Sequence, residues 1–236
     1  MRKHIFSAAL FFQVLSIAHA APQDAIKEAI SPLIEGVTIE KISPTSRAGL
    51  FEVITPKGIL YTDKTGSFVI FGGVLVDSKS KTNVTAQRME EIGTFRFSDL
   101  PLKDAIKTVR GNGSRVLATF EDPNCGYCKK LANEISKLDN ITIYTFLLPI
   151  LSQDSKEKST TIWCATDQSE TWNRFMTGNQ PLPDRKECVT PLDRNLALSQ
   201  KLHINGTPAI LFANNTRSPG YLAADQIELK LATKSK

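Results

Sequence analysis

The chain of 236 residues is poor in several of the residue types that usually announce a function. It has only 3 histidines, and two of them, His4 and His19, fall within the first twenty residues. That leaves His203 and excludes a multi-histidine metal centre in the main body of the chain. After the N-terminus no run approaches the ~20 apolar residues of a membrane-spanning helix, so a multi-span membrane protein is excluded. Internal repeats and low-complexity tracts are absent, which excludes solenoid and collagen-like architectures. Neither charge sign dominates: the formal net charge is +5, too small to argue for a nucleic-acid partner. Cysteine is also scarce. There are 4, and none precedes Cys125. At 41% hydrophobic and 22% charged residues, the remainder reads as an ordinary globular chain.

The first twenty residues read as an address. Met1-Arg2-Lys3-His4 is basic, residues 5–18 are mainly apolar, and Ala18-His19-Ala20 is the small-x-small pattern that a signal peptidase cuts. A signal peptide over residues 1–20 is expected, rather than an apolar helix of the fold. Losing Arg2 and Lys3 lowers the net charge from +5 to +3. The mature protein is then expected in an oxidising, extracytoplasmic space without membrane insertion, where cysteine pairs are read as disulfide chemistry before metal. Asn83, Asn112, Asn140, Asn205 and Asn214 all begin N-x-Ser/Thr patterns. A glycan on Asn205 would crowd the Gly206-Thr207-Pro208 segment, so a bacterial periplasm fits better than a eukaryotic secretory route.

Two units are expected in the mature chain. In residues 24–35, Ile26, Ala29, Ile30, Leu33 and Ile34 share one helical face, and Gly36 follows as a stop. Segments 37–42, 50–54, 59–62 and 68–76 are rich in β-branched and aromatic residues, with turn residues between them. Residues 21–76 are therefore read as an α+β N-terminal dimerisation domain, a helix plus a small antiparallel sheet. Its core is thin, which favours pairing with a second copy. Residues 77–97 are read as a linker with a helix over 84–92. Ser98 or Asp99 is expected to cap a short helix running through Val109. In residues 98–236, a strand over 116–120, a helix opened by Cys125 and a strand over 141–149 form a βαβ unit. A helical insertion over 155–201, a strand over 209–212 and a helix from about Ala223 complete an α/β domain.

The chemistry lies in Cys125-Gly126-Tyr127-Cys128. The pair follows a buried strand and opens a helix, where free backbone N–H groups and the helix dipole stabilise a thiolate on the first cysteine. Cys125 is the candidate nucleophile, and Cys128, one turn inward, the candidate resolving thiol. A zinc knuckle would need two further ligands, and Cys164, Cys188 and His203 lack the spacing to supply them. An inert disulfide is the other alternative, although small strained disulfide rings tend to be the reducible ones. Gly206-Thr207-Pro208-Ala209 stands just before an apolar strand.

Together with Ile162-Trp163-Cys164-Ala165 and Pro219-Gly220-Tyr221, these motifs resemble the periplasmic disulfide isomerases of the DsbC/DsbG family, which carry a thioredoxin-like domain. Gly-Tyr between the cysteines is nearer to DsbC. The resemblance implies that Pro208 is cis and packs on the Cys125–Cys128 pair. It implies that Gly126, Tyr127, Thr207 and Pro208 line the substrate site, with the Thr207 backbone pairing to an extended client. It also implies a homodimer, with 68–76 and its Gly72-Gly73 as the candidate edge, and a cleft for misfolded disulfide-containing clients. No cofactor or metal is implied. The implied reductant is the periplasmic domain of a DsbD-like membrane electron carrier. One position departs from the wider thioredoxin pattern. The strand residue six before the first cysteine, often a carboxylate, is Thr119, and neither Glu121 nor Asp122 is assigned in its place.

Cys164 and Cys188 flank the helical insertion. A structural disulfide is the plain reading, to which the resemblance also points, and a second redox pair is the alternative. For the activity as a whole, a disulfide isomerase with chaperone activity is expected. The alternatives are a holdase-type chaperone, a dithiol oxidase and a DsbG-like thiol reductase.

Overall fold

The computed structural model describes residues 22–47, 49–178, 180–184 and 186–233, so the signal-peptide expectation for 1–20 lies outside the described residues. The first helix, α1, spans Pro22–Ile30 and buries Ile26 and Ile30. It tightens into a 3-10 turn over Ser31–Ile34, because Pro32 has no N–H with which to continue an α-helix. Strands β1 (Lys41–Pro44), β2 (Leu50–Thr55), β3 (Gly58–Asp63) and β4 (Val69–Ile70) form an antiparallel sheet in that order. Ile26, Ile30, Ile34 and Val53 are the buried centre between α1 and the sheet.

Two strand expectations shift. The segment 37–42 pairs only from Lys41 onward, and 68–76 joins the sheet only at Val69 and Ile70, with an isolated bridge from Val76 to Asn83. Gly72, with a φ of +64°, turns the chain away. The β4 edge is left uncovered, and Phe68, Ile70, Phe71, Val74 and Val76 around it are each at least 41% exposed.

Helix α2 spans Val84–Ile92, as expected, and Asn83 caps it by accepting from the Ala86 N–H at 2.8 Å. No residue of α2 is fully buried. Its anchors are polar. Thr85 bonds the Tyr61 hydroxyl at 2.7 Å and Arg88 pairs with the buried Glu52 at 2.9 Å. The Arg217 guanidinium donates to the Met89 carbonyl of α2 and, at 2.6 Å, to the Leu202 carbonyl.

The short helix expected through Val109 does not form. Two 3-10 turns, Phe97–Asp99 and Leu102–Asp104, lead instead into strand β5, Ile106–Arg110. Pro101 interrupts the helical ladder. Beyond it Ile106 and Thr108 are buried while Lys107 and Val109 face out, a period-two pattern. Strand β6 (Arg115–Glu121), helix α3 (Gly126–Ile135) and strand β7 (Ile141–Leu147) form the expected βαβ unit, with β6 and β7 parallel. Helices α4 (Gln153–Trp163), α5 (Gln168–Gly178) and α6 (Leu192–Lys201) make up the insertion. Strands β8 (Ala209–Phe212) and β9 (Arg217–Pro219) and helix α7 (Ala224–Ala232) follow. The sheet order is β5-β7-β6-β8-β9, with β6 at the centre.

Alternation along β6 divides the core. Ala118 and Phe120 pack with Phe146, Leu148, Leu202 and Leu211 on one face. Leu117 packs with Leu131, Ile135 and Ile227 of α3 and α7 on the other. The end of β7 and the insertion helices close over the start of α3 through Leu147, Ile162, Trp172, Met176 and Leu192.

Cys164, the cap residue after α4, is disulfide-bonded to Cys188 ahead of α6, with Cα atoms 5.7 Å apart. A bridge across a sequence separation of 24 restricts the unfolded chain and is worth about 3 kcal/mol. A Cys164→Ser, Cys188→Ser variant should lose about that amount in urea unfolding relative to the oxidised protein. An unchanged midpoint would show that the insertion does not depend on the bridge.

Candidate active site

The site is built where β6 gives way to α3. Asp122 begins the turn. It is fully buried, and its carboxylate accepts from the Asn124 N–H at 2.8 Å, the Leu151 N–H at 3.0 Å and the Ser155 hydroxyl at 2.8 Å. Its carbonyl accepts from the Cys125 N–H at 3.0 Å. Cys125 is thereby placed as the N-cap of α3. Its Sγ accepts from the Cys128 N–H at 3.2 Å, so a helix-end donor already points at the sulfur that would carry charge.

On the other side, the Cys125 thiol donates to the Thr207 carbonyl at 3.3 Å. The Thr207–Pro208 peptide is cis, as the resemblance implies. The turn after β6 and the loop before β8 thus meet at one sulfur, although 82 residues separate them. Cys125 and Cys128 are both unpaired thiols, 6% and 0% exposed. Gly126 lies at the helix start with open space around its Cα, and Tyr127 is 60% exposed on the rim. The Tyr127 ring lies 6.4 Å from that of Tyr221, and Lys130 Nζ is 4.9 Å from its centroid.

A groove of about 410 Å³ runs beside the loop. Met89 of α2, His203, Thr207, Pro208, Arg217 and Pro219 are among the residues that line it. The Thr207 hydroxyl is buried there without a hydrogen-bond partner. The groove lies between the linker helix and the thiol-bearing domain. His203 Nε2, 3.4 Å from Glu40 Oε2, joins that domain to the N-terminal unit.

Two domain families match the chain. The disulfide bond isomerase protein N-terminal domain matches residues 17–86, and the thioredoxin-like domain matches residues 102–234. A probable thiol:disulfide interchange protein DsbC of Bordetella pertussis is 44% identical over 208 residues, which is 88% of this chain and 74% of that protein. The chain belongs to the DsbC family. The DsbC of Escherichia coli K12 is 28% identical over 207 residues, covering 85% of this chain and 84% of its own. A disulfide interchange protein of Neisseria gonorrhoeae, solved by crystallography, aligns with a TM-score of 0.55 at 33% identity over 58% of this chain and 99% of its own.

As a DsbC-family member the protein is a thiol–disulfide oxidoreductase, and its two free cysteines stand where such chemistry needs them. The Cys125 thiol touches the carbonyl of Thr207, a residue that lines the groove. Cys128 lies beneath it, and burial, with the nearby Glu121 charge as a second cause, pushes its thiol up.

Glu121 is the residue that the linear sequence conceals in this DsbC-type site. It ends β6 and is only 1% exposed. Its Oε2 has no hydrogen-bond partner. Burial raises its carboxyl to about 7, against a smaller opposing pull from the Thr119 hydroxyl. The available signal was strand parity: Glu121 lies two residues from Thr119 and therefore shares its face. Reading the strand as ending at Phe120 removes that signal.

A buried carboxyl whose value is raised in the fold stabilises the protein most below its unfolded value near 4.5, and that contribution is lost as the pH rises through about 7. The loss is about 3 kcal/mol. A Glu121→Gln variant should therefore melt higher than the parent at pH 8 and near the parent at pH 4.5. A pH-independent difference in Tm would show that Glu121 does not titrate in this range.

Proposed function

We propose that the protein is a periplasmic protein disulfide isomerase with chaperone activity, delivered by the signal peptide of residues 1–20 and working as a homodimer. The observation that carries the reading is the meeting of the Cys125 thiol, the α3 N-terminus and the Thr207–Pro208 loop beside an open groove. Cys125 attacks a non-native disulfide of a client. The client S–S bond breaks, one client sulfur leaves as thiolate, and the other is held as a mixed disulfide with Cys125. An extended client takes over the Thr207 backbone and lies along the groove, with Gly126 leaving room and Tyr127 at the rim. The freed client thiolate can then attack elsewhere, which reshuffles the client without net oxidation.

If the client stalls, Cys128 attacks Cys125 and releases the client reduced. Two electrons have then left the pair, and a membrane electron carrier of the DsbD type is the reductant that restores them. Cys164–Cys188 stands apart from this cycle as a brace of the insertion. The uncovered β4 edge with Phe68, Ile70 and Phe71 supports pairing of two N-terminal units. The groove beside Pro208 and the exposed apolar residues near β4 also support client capture independent of the thiols.

In cells, thiol trapping should find Cys125 and Cys128 largely reduced, and the purified protein should reactivate scrambled ribonuclease. Full oxidation of the pair in cells would replace the isomerase reading with that of an oxidase. A Cys125→Ala, Cys128→Ala variant should lose reactivation yet still suppress aggregation of an unfolded client. Loss of both activities together would remove the separate chaperone function. Light scattering at micromolar concentration should give the mass of a dimer, and Ile70→Asp should shift it toward the monomer. A parent that is already monomeric would overturn the dimer.

A further inference from the structure

The chain has two Asn-Gly pairs, Asn112-Gly113 and Asn205-Gly206. In such a pair the glycine nitrogen can attack the asparagine side-chain carbonyl, because no Cβ stands in the way. This is one reason that asparagine is a thermolabile residue. The reaction needs a carboxamide free to swing, a glycine N–H that is not already donating, and room for a five-membered ring.

The fold separates the two pairs. Asn112 Oδ1 accepts from the Ser114 N–H at 3.0 Å, and the Gly113 N–H donates to the Arg110 carbonyl at 3.2 Å. Gly113 is held at a φ of +65°, and a Cβ built there would meet Thr142 Oγ1 at 2.8 Å and Val109 Cγ1 at 2.9 Å. That turn is bonded and filled. Asn205 and Gly206, by contrast, are both exposed. Among the described residues, neither the Asn205 carboxamide nor the Gly206 N–H has a hydrogen-bond partner. Nothing lies within 4 Å of the place that a Gly206 Cβ would take. Gly58 of β3 leaves space on the other side, since even a Cβ on it would lie 3.5 Å from Asn205 Nδ2.

We propose that Asn205 is a self-modification site, which deamidates and thereby displaces the peptide loop from Cys125. The effect on the loop rests on the reading of Thr207 as the backbone to which a client pairs. The Gly206 nitrogen bonds to Asn205 Cγ, its proton passes to the leaving nitrogen, the Cγ–Nδ2 bond breaks and ammonia departs. Water then opens the succinimide. Opening at Cγ gives aspartate. Opening at the main-chain carbonyl gives isoaspartate, in which the chain runs on through the former side chain. No electrons are exchanged, and water is the only co-reactant.

Magnitudes decide which product matters. Both add one carboxylate, but it is exposed, and salt screens it over about 10 Å. The isoaspartyl link also lengthens the main chain by one methylene, about 1.5 Å. Ile204 and Pro208 are buried on either side, so that length must be taken up between them. Thr207 lies in this interval, and its carbonyl accepts from the Cys125 thiol at 3.3 Å. Misplacement by about 1 Å beside reacting atoms costs on the order of a hundredfold in rate. Isoaspartate is therefore the product that disables the loop, and aspartate is the nearly silent one.

The test ages the full-length protein, with its thiol pair kept reduced, in mildly acidic and mildly alkaline buffer, and reads digests by mass. The Asn205 peptide should gain one mass unit, faster in alkali because the attacking nitrogen must lose its proton, while the Asn112 peptide stays unchanged. Modified chains enriched by ion exchange should form a mixed disulfide with a peptide disulfide on the order of tenfold more slowly than fresh protein. Treatment with an isoaspartyl methyltransferase should restore most of that rate. Asn205→Asp, which carries the charge alone, should react at close to the parental rate, and Asn205→Ser should keep its rate through ageing. An unmodified Asn205, or an Asn112 modified as fast, overturns the site. Modified chains that react at the parental rate, or an Asn205→Asp variant as slow as they are, overturn the displacement of the loop. Fresh parent that forms no mixed disulfide overturns the assignment of Cys125 instead, and the mass reading still decides the site.

Discussion

The structure depends on one buried carboxylate. Asp122 lies at the junction of the central strand and the first helix of the thioredoxin-like domain, and it is fully buried. A charge so placed is tolerable only if its oxygens are filled, and they are, by a turn N–H, a loop N–H and a hydroxyl of α4. Those three donors come from three pieces of chain. They draw the turn, the loop after β7 and the insertion together at one point. The Cys125 backbone is hung from the same residue, so the position of its thiol follows from how Asp122 is solvated by the protein.

The next residue up the chain has the opposite fate. Glu121 is as deeply buried, yet it retains an oxygen without a partner. Two adjacent carboxylates therefore do different work for environmental reasons alone. One is saturated with donors and holds the turn, and the other is left short of donors and faces a thiol. The donors around them tell the two acids apart where composition and spacing treat them alike.

The linker helix shows a third use of polarity. No residue of α2 is fully buried, so apolar packing holds it only in part. It is held by the Arg88–Glu52 pair toward the N-terminal sheet and by Arg217 toward the catalytic domain. A Cβ on Gly93 would collide with that same guanidinium, so the glycine at the helix end makes the approach possible. The groove along the Thr207–Pro208 loop has Met89 of α2 in its wall, so the linker helix lies against that loop.

Much was legible in linear order. The periodicity of Ile26, Ile30 and Ile34, the βαβ unit and the C-x-x-C pair at a helix start are all local patterns, in which side-chain period and capping chemistry act within a few residues. The sequence alone thus determined the elements, the reactive pair and the kind of chemistry. It misread residues 98–109 as a helix, because burial on alternate positions of β5 is decided by β7, a partner that lies more than thirty residues further on. It placed too much of 68–76 in a strand, because Gly72 ends the pairing through a backbone angle that composition does not reveal. The tertiary structure decided that the Thr207 carbonyl meets the Cys125 thiol, that Cys164 joins Cys188, and that Leu151 and Ser155 fill the Asp122 carboxylate. These are contacts between distant segments, and their energies depend on burial and on which donors are within reach. Neither quantity exists until the sheet has closed.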